Sequence, residues 1–302
     1  MTNLIKCKAL TLAGKECNNK AKNGDYCLRH TPKDLKVEDN TVITMTYCEC
    51  SENHVGMEKN GNMAKEGFTL DELNKAKKAA IRCGLLINLY ELHHLIENPL
   101  DEEKAWVLVI RGGIDYILSH HNTTQKEECE KLMALTWDDK YYDVRRSKVL
   151  NKHARTNICV GDVSQKANFE EKKGTIYDFK EISVLKWIRE TLPNFLGDKA
   201  KNMLAEGNLY KDGGLKKTGI GYHGDSERRC VVGFRFGVKK ETPNLYYRWY
   251  ERSKVISETL IVPLNAGDMY IMSHKAVGTD WKKKTIRTLR HSTGAPKYTA
   301  PK

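Results

Sequence analysis

One short segment of the 302-residue chain carries a pattern that could bind a metal ion, because His223 and Asp225 are separated by a single glycine. Alternate residues of a β-strand point to the same face, so both side chains could reach one ion. Two histidines and one carboxylate form the facial triad of non-haem iron oxygenases, which leaves coordination positions for a cosubstrate and oxygen. The pair therefore predicts an iron(II) site, provided that a second histidine completes it.

Two downstream histidines are candidates for the third ligand. His274 follows a strand-like run, and His291 follows Arg290 directly. Neighbouring residues of a strand point to opposite faces unless a bulge intervenes, so His291 and Arg290 are not expected to share a face. If Arg287 and His291 face the interior together, a cation and an imidazole lie on one face. We favour His291 as the third iron ligand and keep His274 as the alternative.

A second metal site is predicted near the amino terminus. Its four candidate ligands are separated by nine, nine and two residues, and a glycine stands three residues before each of the last two cysteines; the ligands are Cys7, Cys17, Cys27 and His30. Three cysteines and one histidine are a common structural zinc set, and metal binding supplies the folding energy of so short a segment. The segment resembles the small Cys/His knuckles of viral and nuclear proteins, including those of large DNA viruses. With all four positions filled, we expect a structural zinc ion.

Charge and composition limit the class of protein. The formal charge is +12, and residues 269–302 hold eight Lys or Arg residues against one acid, Asp280. Such a basic segment attracts polyanions, so nucleic acid is the expected partner, with a solvated surface as the alternative. No apolar run approaches the ~18 residues of a membrane span, and no signal sequence is visible. We therefore expect an intracellular protein whose cysteines bind metal or lie in cores as thiols.

Several motifs of the carboxy-terminal half occur in a recognisable order. Asn208-Leu-Tyr210 precedes Gly221-Tyr-His-Gly-Asp-Ser-Glu227, and Gly233-Phe-Arg-Phe-Gly237 follows. This order resembles the Asn-x-Tyr, His-x-Asp-x-Glu and strand-glycine series of the AlkB-type iron(II)/2-oxoglutarate dioxygenases. The resemblance continues through Gly267-Asp-Met-Tyr-Ile-Met272, Asp280-Trp281 and Thr288-Leu-Arg290, and it covers about 40 % of the chain.

The resemblance implies a set of cosubstrate contacts. In the family, the Asn and Tyr of the first motif contact 2-oxoglutarate, which implies Asn208 and Tyr210 here. Two arginines six residues apart on the last strand bind its carboxylate. Arg290 matches the second, and Lys284 stands at the first, where it keeps the charge but loses the bidentate fork. Arg287 is a further candidate if it faces inward. Glu227 matches the position from which family members contact a target base.

The resemblance fails at one important position. The family places its distal histidine within two residues of the Asp-Trp step, and this chain has Lys282-Lys283 there. A protonated lysine has no lone pair to donate and repels a divalent cation. This replacement leaves two interpretations open. Either another histidine completes the iron site, or the domain has lost catalysis.

The functional expectation follows the resemblance. It implies an iron(II)/2-oxoglutarate-dependent oxygenase that oxidises an alkylated or methylated base of a nucleic acid, as in DNA repair. One alternative keeps the chemistry and changes the substrate to a protein side chain or a 5-methylpyrimidine. Another is a zinc-bearing nucleic-acid-binding module without turnover.

The elements that must position these residues divide the chain into four predicted regions: a zinc knuckle (1–35), a linker (36–66), a helical region (67–144) and an oxygenase domain (145–302). Thr69 and Glu72 form a predicted capping box at the start of the helical region. Residues 184–196 have the periodicity of a helix, and short strand-like runs separated by Gly or Pro follow. We therefore predict an α+β protein with a double-stranded β-helix (jelly roll) and flanking helices.

Overall fold

Two sheets dominate residues 40–300, which are the residues that the computed structural model of this protein describes. In chain order, the strands are β1 (Val42–Cys48), β2 (Cys50–Glu52), β3 (Lys59–Gly61), β4 (Ile87–Glu91), β5 (Trp106–Ile110), β6 (Lys140–Asp143), β7 (Lys148–Asn151), β8 (Thr156–Gly161), β9 (Ile176–Asp178), β10 (Leu204–Tyr210), β11 (Gly219–His223), β12 (Val231–Gly237), β13 (Leu245–Glu251), β14 (Lys254–Val255), β15 (Leu260–Val262), β16 (Met269–Met272) and β17 (Thr288–Gly294). The helices are α1 (Leu70–Arg82), α2 (Gly113–Ser119), α3 (Gln125–Met133), α4 (Ser183–Leu196), α5 (His274–Val277) and α6 (Pro296–Thr299).

The larger sheet has eight strands in the order β4-β5-β16-β12-β1-β10-β8-β9. The smaller sheet has the order β11-β17-β13-β14, with β15 also paired to β13. Neighbouring strands run antiparallel except β8 and β9, which are parallel. With its few helices and mainly antiparallel sheets, the described part of the chain belongs to the α+β class, as the sequence predicted.

Strand β1 lies in the middle of the larger sheet and is buried along its whole length. Ile43, Met45 and Tyr47 alternate toward one face, where they pack in a core with residues of α1 and α4 such as Leu73 and Ile188. This alternation is typical of a strand that separates two layers. The helices therefore cover one face of the larger sheet and leave its other face toward the smaller sheet.

The space between the two sheets holds a second, apolar core at one end. Val231 and Tyr270 from the larger sheet pack there with Trp249 and Leu289 from the smaller one. The indole of Trp249 donates a hydrogen bond to the carbonyl oxygen of Leu92, at 2.8 Å. This core fixes the spacing of the sheets and thereby the side chains that face each other farther along the same interior.

Two helix predictions are confirmed. The Thr69 side chain accepts a hydrogen bond from the Glu72 amide, and the Glu72 carboxylate accepts one from the Thr69 amide, so the capping box begins α1. Helix α4 begins at Ser183, and Leu185, Ile188 and Leu192 are buried along its sheet-facing side. Both helices bury a 3.6-residue stripe, which is the pattern that the sequence carries.

The predicted region boundaries need correction. Residues 36–66 were expected to be a linker, but β1 occupies the centre of the larger sheet. Region 67–144 was expected to be helical, but β4 and β5 extend that sheet beyond β16. Residues 40–300 form one unit because these strands complete the same sheet as the carboxy-terminal strands. The predicted knuckle lies outside the described residues.

Candidate metal centre

Three side chains converge between the sheets: His223, Asp225 and His291. The Nε2 atom of His223 lies 3.5 Å from Oδ1 of Asp225, and Nε2 of His291 lies 3.8 Å from the same oxygen. Their potential ligand atoms all lie within 4.8 Å of one another. Ligands about 2.1 Å from a shared ion and at right angles to each other are about 3 Å apart, so a small contraction of this triangle suffices for coordination.

Strand pairing brings the two histidines together. His223 on β11 lies directly opposite His291 on β17, and the ring centroids are 4.5 Å apart. The register shifts between Ile220 and His223, so a bulge in β11 sets which residue faces His291. Bulges re-aim side chains in this way at the ends of strands. The pairing of β11 with β17 therefore determines that His291 faces the His-x-Asp pair.

A close backbone approach positions the segment after β11. The Asp225 amide donates to the carbonyl oxygen of Val277 at 3.1 Å. A Cβ atom on Gly224 would lie only 2.0 Å from the carbonyl oxygen of Gly278. Only glycine permits this contact, because any side chain would collide with the backbone. The glycine of the His-Gly-Asp segment therefore lets the loop pack where Asp225 reaches both imidazoles.

The hydrogen bond of His223 leaves a lone pair directed toward the centre. The Nδ1 atom of His223 donates to the carbonyl oxygen of Gly221 at 2.8 Å, which leaves Nε2 unprotonated in the neutral ring. Burial holds the pKa of His291 well below its usual value, and the positive charge of Arg228, or of His223 when it is protonated, lowers this pKa further. An outer hydrogen bond such as that of His223 is typical of a metal-ligating imidazole, and Nδ1 of His291 has no such partner within the described residues.

Arg228 holds the carboxylate side of the centre. Its guanidinium is buried and forms ion pairs with Glu206 and with Glu227, the latter at 2.6 Å. Its Nε lies 4.0 Å from Oδ2 of Asp225, while Oδ1 of Asp225 faces the histidines. The two oxygens of Asp225 therefore face different neighbours: Oδ2 faces the arginine, and Oδ1 faces the two histidines. Neither Arg228 nor Glu206 carries a motif or a spacing in the sequence that marks it as part of this centre.

The donor set fits a divalent transition metal. Two imidazole nitrogens and one carboxylate on one side of an ion match the ligands of non-haem iron(II). The side chains of His223, Asp225 and His291 are 23 %, 15 % and 8 % exposed, so the centre is buried on the His291 side and reaches solvent on the His223 side. This arrangement leaves one side of the triangle free for further ligands.

The alternative third ligand, His274, lies elsewhere. Its Nδ1 accepts a hydrogen bond from the Gly67 amide at 3.3 Å, and it lines a surface depression together with Asp280 and Lys283. Lys282 and Lys283 themselves are exposed in the loop before β17. The structure thus brings His291, and not His274, to the His-x-Asp pair.

The first two predicted cosubstrate residues face the interior from β10. Asn208 accepts hydrogen bonds from Nε of Arg155 at 2.5 Å and from the Asn157 amide group at 2.7 Å. Tyr210 is 3 % exposed, and burial raises its pKa against the opposing charges of Arg155 and Arg235. Both residues lie two apart on one strand and therefore share a face.

The other predicted cosubstrate cations lie away from this face. Arg287 forms an ion pair with Glu103 at 2.5 Å, and Lys284 is exposed. The Arg290 guanidinium lies over the rings of Tyr250 and Trp281, at 4.0 and 5.2 Å. Arg290 is therefore not placed as predicted. Consecutive residues of a strand point to opposite faces, so Arg290 points outward because His291 points inward.

Glu227 is also engaged elsewhere. Its carboxylate accepts from Nε of Arg228 at 2.8 Å, and its side chain is 10 % exposed. A carboxylate held by a buried guanidinium in this way orients the arginine beside Asp225.

A second group of metal-binding side chains comes from one short segment. Glu91, His93 and His94 place their ligand atoms within 4.8 Å of one another. His94 is exposed and forms an ion pair with Glu91 at 3.1 Å, while His93 packs against the ring of Trp106. These local contacts account for the group as a surface ion pair beside a packed histidine.

The fold and the site define an α+β protein with a candidate two-histidine, one-carboxylate metal centre. No family model matches the chain. The chain is 44 % identical to the "Uncharacterized protein R156" of Acanthamoeba polyphaga mimivirus over 259 residues, which are 85 % of this chain and 97 % of the relative. The chain therefore belongs to the same protein family as this viral protein.

Proposed function

We propose that this protein is an iron(II)- and 2-oxoglutarate-dependent oxygenase of the jelly-roll type. The observation that carries the proposal is the convergence of His223, Asp225 and His291 on one point between two mainly antiparallel sheets. Iron(II) held by these three side chains would supply oxygen activation. Lys282 and Lys283 stand where the family has its distal histidine, which allowed the interpretation that the domain has lost catalysis. Because His291 supplies a third potential ligand, we favour an active site.

The reaction balances with one molecule of oxygen. Oxidative decarboxylation of 2-oxoglutarate yields carbon dioxide and succinate, whose new carboxylate takes one oxygen atom. The second oxygen atom enters a C–H bond of the substrate as a hydroxyl group. On an N-methyl group, this product breaks down to the free amine and formaldehyde. The chain's own part is to exclude bulk water on the His291 side and to hold Asp225 through Arg228.

For the substrate, we propose an N-alkylated base in nucleic acid, as the AlkB-type resemblance implies. A stack of side chains beside the centre supports this substrate. The Arg290 guanidinium lies over the rings of Tyr250 and Trp281, and the Trp281 indole donates to the hydroxyl of Ser226 at 3.0 Å. Ser226 is adjacent to Asp225. Aromatic rings and guanidinium groups are the surfaces on which unstacked bases pack, and a base must leave its stack to reach a buried site.

The test is turnover of 2-oxoglutarate by the full-length protein supplied with iron(II) and ascorbate under air. We expect succinate formation that rises when a single-stranded oligonucleotide with an N-methylated base is added, together with an equal amount of formaldehyde. His223→Ala and Asp225→Ala should remove turnover. Absence of succinate from folded, iron-loaded protein with every substrate tested would overturn the oxygenase proposal.

Two outcomes separate the alternatives. Succinate that rises with peptide substrates and not with oligonucleotides would favour a protein substrate. Oligonucleotide binding without any succinate would favour a binding module. Trp281→Ala is the matched variant, because we expect it to weaken oligonucleotide binding by about 1–3 kcal/mol while leaving metal binding unchanged.

A further inference from the structure

A fully buried arginine stands on the inner face of the larger sheet without an acidic partner. Arg235 on β12 is 0 % exposed and takes part in no ion pair within residues 40–300. Its two hydrogen bonds go to hydroxyl groups: Nη1 donates to Thr44 at 2.6 Å and Nη2 to Thr293 at 3.0 Å. Its Nε has no acceptor within the described residues. Several of its five N–H donors are therefore unused.

A buried guanidinium without an acidic partner lowers the stability of the folded protein. A guanidinium stays charged at any physiological pH, and a buried charge without a counter-ion is strongly unfavourable. Arg228 illustrates the usual solution, since it is equally buried but is paired with Glu206 and Glu227. Arg235 lacks such a partner in the part of the chain described, and an anionic ligand would provide it.

The position of Arg235 links it to the metal centre. Thr293 and His291 are two residues apart on β17, so they share a face about 7 Å apart along the strand. The guanidinium that bonds Thr293 therefore lies one pleat repeat from the candidate iron ligand. Burial raises the pKa of Tyr270 to about 12, and the phenol is close enough to both groups that the charge of Arg235 lowers this pKa and the charge of Asp225 raises it.

The predicted cosubstrate residue Asn208 lies in the same row of the sheet. Thr44 on β1 pairs with Asn208 on one side and with Arg235 on the other. Paired residues of an antiparallel ladder point to the same face. The row thus presents an amide, a hydroxyl and a guanidinium on one face of the sheet, and these groups suit a carboxylate.

We infer that Arg235 binds the distal carboxylate of a five-carbon 2-oxo dicarboxylate whose other end lies at the metal centre. The two carboxyl carbons of such a molecule are about 5 Å apart when it is extended, a span comparable with the ~7 Å between residues two apart on a strand. The inference rests on the proposed function, because it assumes that the triad binds the metal end. It replaces the predicted cosubstrate cations Lys284, Arg287 and Arg290 with a residue of β12.

The experiment compares two ligands on two variants by isothermal titration of the full-length, manganese(II)-loaded protein. 2-Oxoglutarate has the distal carboxylate and pyruvate lacks it. We expect Arg235→Met to weaken binding of 2-oxoglutarate by about 10- to 100-fold and to leave binding of pyruvate unchanged, because only the charge-assisted hydrogen bonds at the distal end are lost. Arg235→Lys should recover part of the affinity. Equal losses for both ligands, or no loss, would overturn the inference.

Arg287→Met is the matched control, since Arg287 already has Glu103 as its partner. We expect it to leave 2-oxoglutarate binding unchanged and to lower the thermal unfolding temperature. Arg235→Met without ligand should unfold at the same temperature as the wild type or above it. A lower unfolding temperature for Arg235→Met, together with unchanged ligand affinity, would mean that Arg235 is structural.

Failure of this inference and failure of the proposed function are distinguishable. Protein that binds 2-oxoglutarate through Arg235 but forms no succinate would keep the subsite and refute the oxygenase. Protein that binds manganese(II) but no 2-oxoglutarate would refute the subsite. If manganese(II) does not bind, glutarate is titrated into the metal-free protein: Arg235-dependent binding keeps the subsite, and no binding refutes it.

Discussion

His223 and His291 lie directly opposite each other in the ladder between β11 and β17, with ring centroids 4.5 Å apart. They are 68 residues apart in the sequence, and the ladder alone makes them neighbours. Asp225 follows immediately after β11 and reaches both imidazoles with one oxygen. The candidate metal centre is thus built from a strand pair and the first turn beyond it.

Removing His291 should abolish metal binding at this centre. Loss of an outer hydrogen-bond partner commonly costs about 10–100-fold in metal affinity, so we expect loss of a ligand to cost more than about 100-fold. The measurement is equilibrium binding of manganese(II) to His291→Ala, with zinc counted separately by elemental analysis. His274→Ala and His94→Ala are the controls, and both should bind one equivalent as the wild type does. Equal affinity of His291→Ala and wild type would exclude His291 as a ligand.

Removing Arg228 should destabilise the protein strongly. Arg228→Met leaves the buried carboxylates of Glu206 and Glu227 without a counter-ion, and breaking a buried pair typically costs about 3–5 kcal/mol. Urea unfolding measures the change in the free energy of unfolding. Lys201→Met is the control, because its pair with Asp198 is exposed and should contribute less than about 1 kcal/mol. Similar small effects of both substitutions would contradict the role given to Arg228.

A methyl group at Gly224 should displace Asp225 from the imidazoles. The added Cβ would collide with the carbonyl oxygen of Gly278 at 2.0 Å, so the loop must shift. We expect Gly224→Ala to weaken manganese(II) binding by at least about 10-fold. Gly221→Ala is the matched control in the same segment, since nothing lies within 4 Å of its added Cβ. Unchanged metal affinity in Gly224→Ala would show that this close approach does not position Asp225.

Gly233 and Tyr270 should be energetically coupled. A Cβ on Gly233 would lie 1.9 Å from Cζ of Tyr270, because the phenol ring covers the glycine across the β12–β16 ladder. We expect Gly233→Ala to cost about 1–3 kcal/mol of stability by overpacking. The same substitution in a Tyr270→Leu background should cost much less, and chemical unfolding of the four proteins gives the coupling energy. Additive effects of the two substitutions would indicate that the packing of the Tyr270 ring does not require a glycine at position 233.

Local patterns in the sequence were sufficient for several parts of the fold. The capping box at Thr69 and the helix that ends at Leu196 follow from residue types three or four apart. The runs that became β12, β13 and β16 follow from apolar stretches between turn residues. The α+β class follows from both.

Other parts depend on which strands become neighbours. Strand β1 was missed because the acidic and glycine-rich residues after it dominate the composition of that region. Its alternation of Ile43, Met45 and Tyr47 with Thr44 and Thr46 is a strand signal that could have found it. Arg228 and Arg235 had no periodic signal, because a lone arginine in a strand-like run is indistinguishable from a surface cation until its surroundings are known.

The sequence by itself determined that His223 and Asp225 can face one point, because two residues separated by one other share a face of an extended chain. Only the tertiary structure decided that His291 completes the triangle, that His274 and the last-strand cations lie elsewhere, and that Arg235 is buried without an acidic partner. The physical reason is that periodicity acts over a few residues, whereas strand register, bulges and the packing of one sheet on another are set by contacts between residues far apart in the chain.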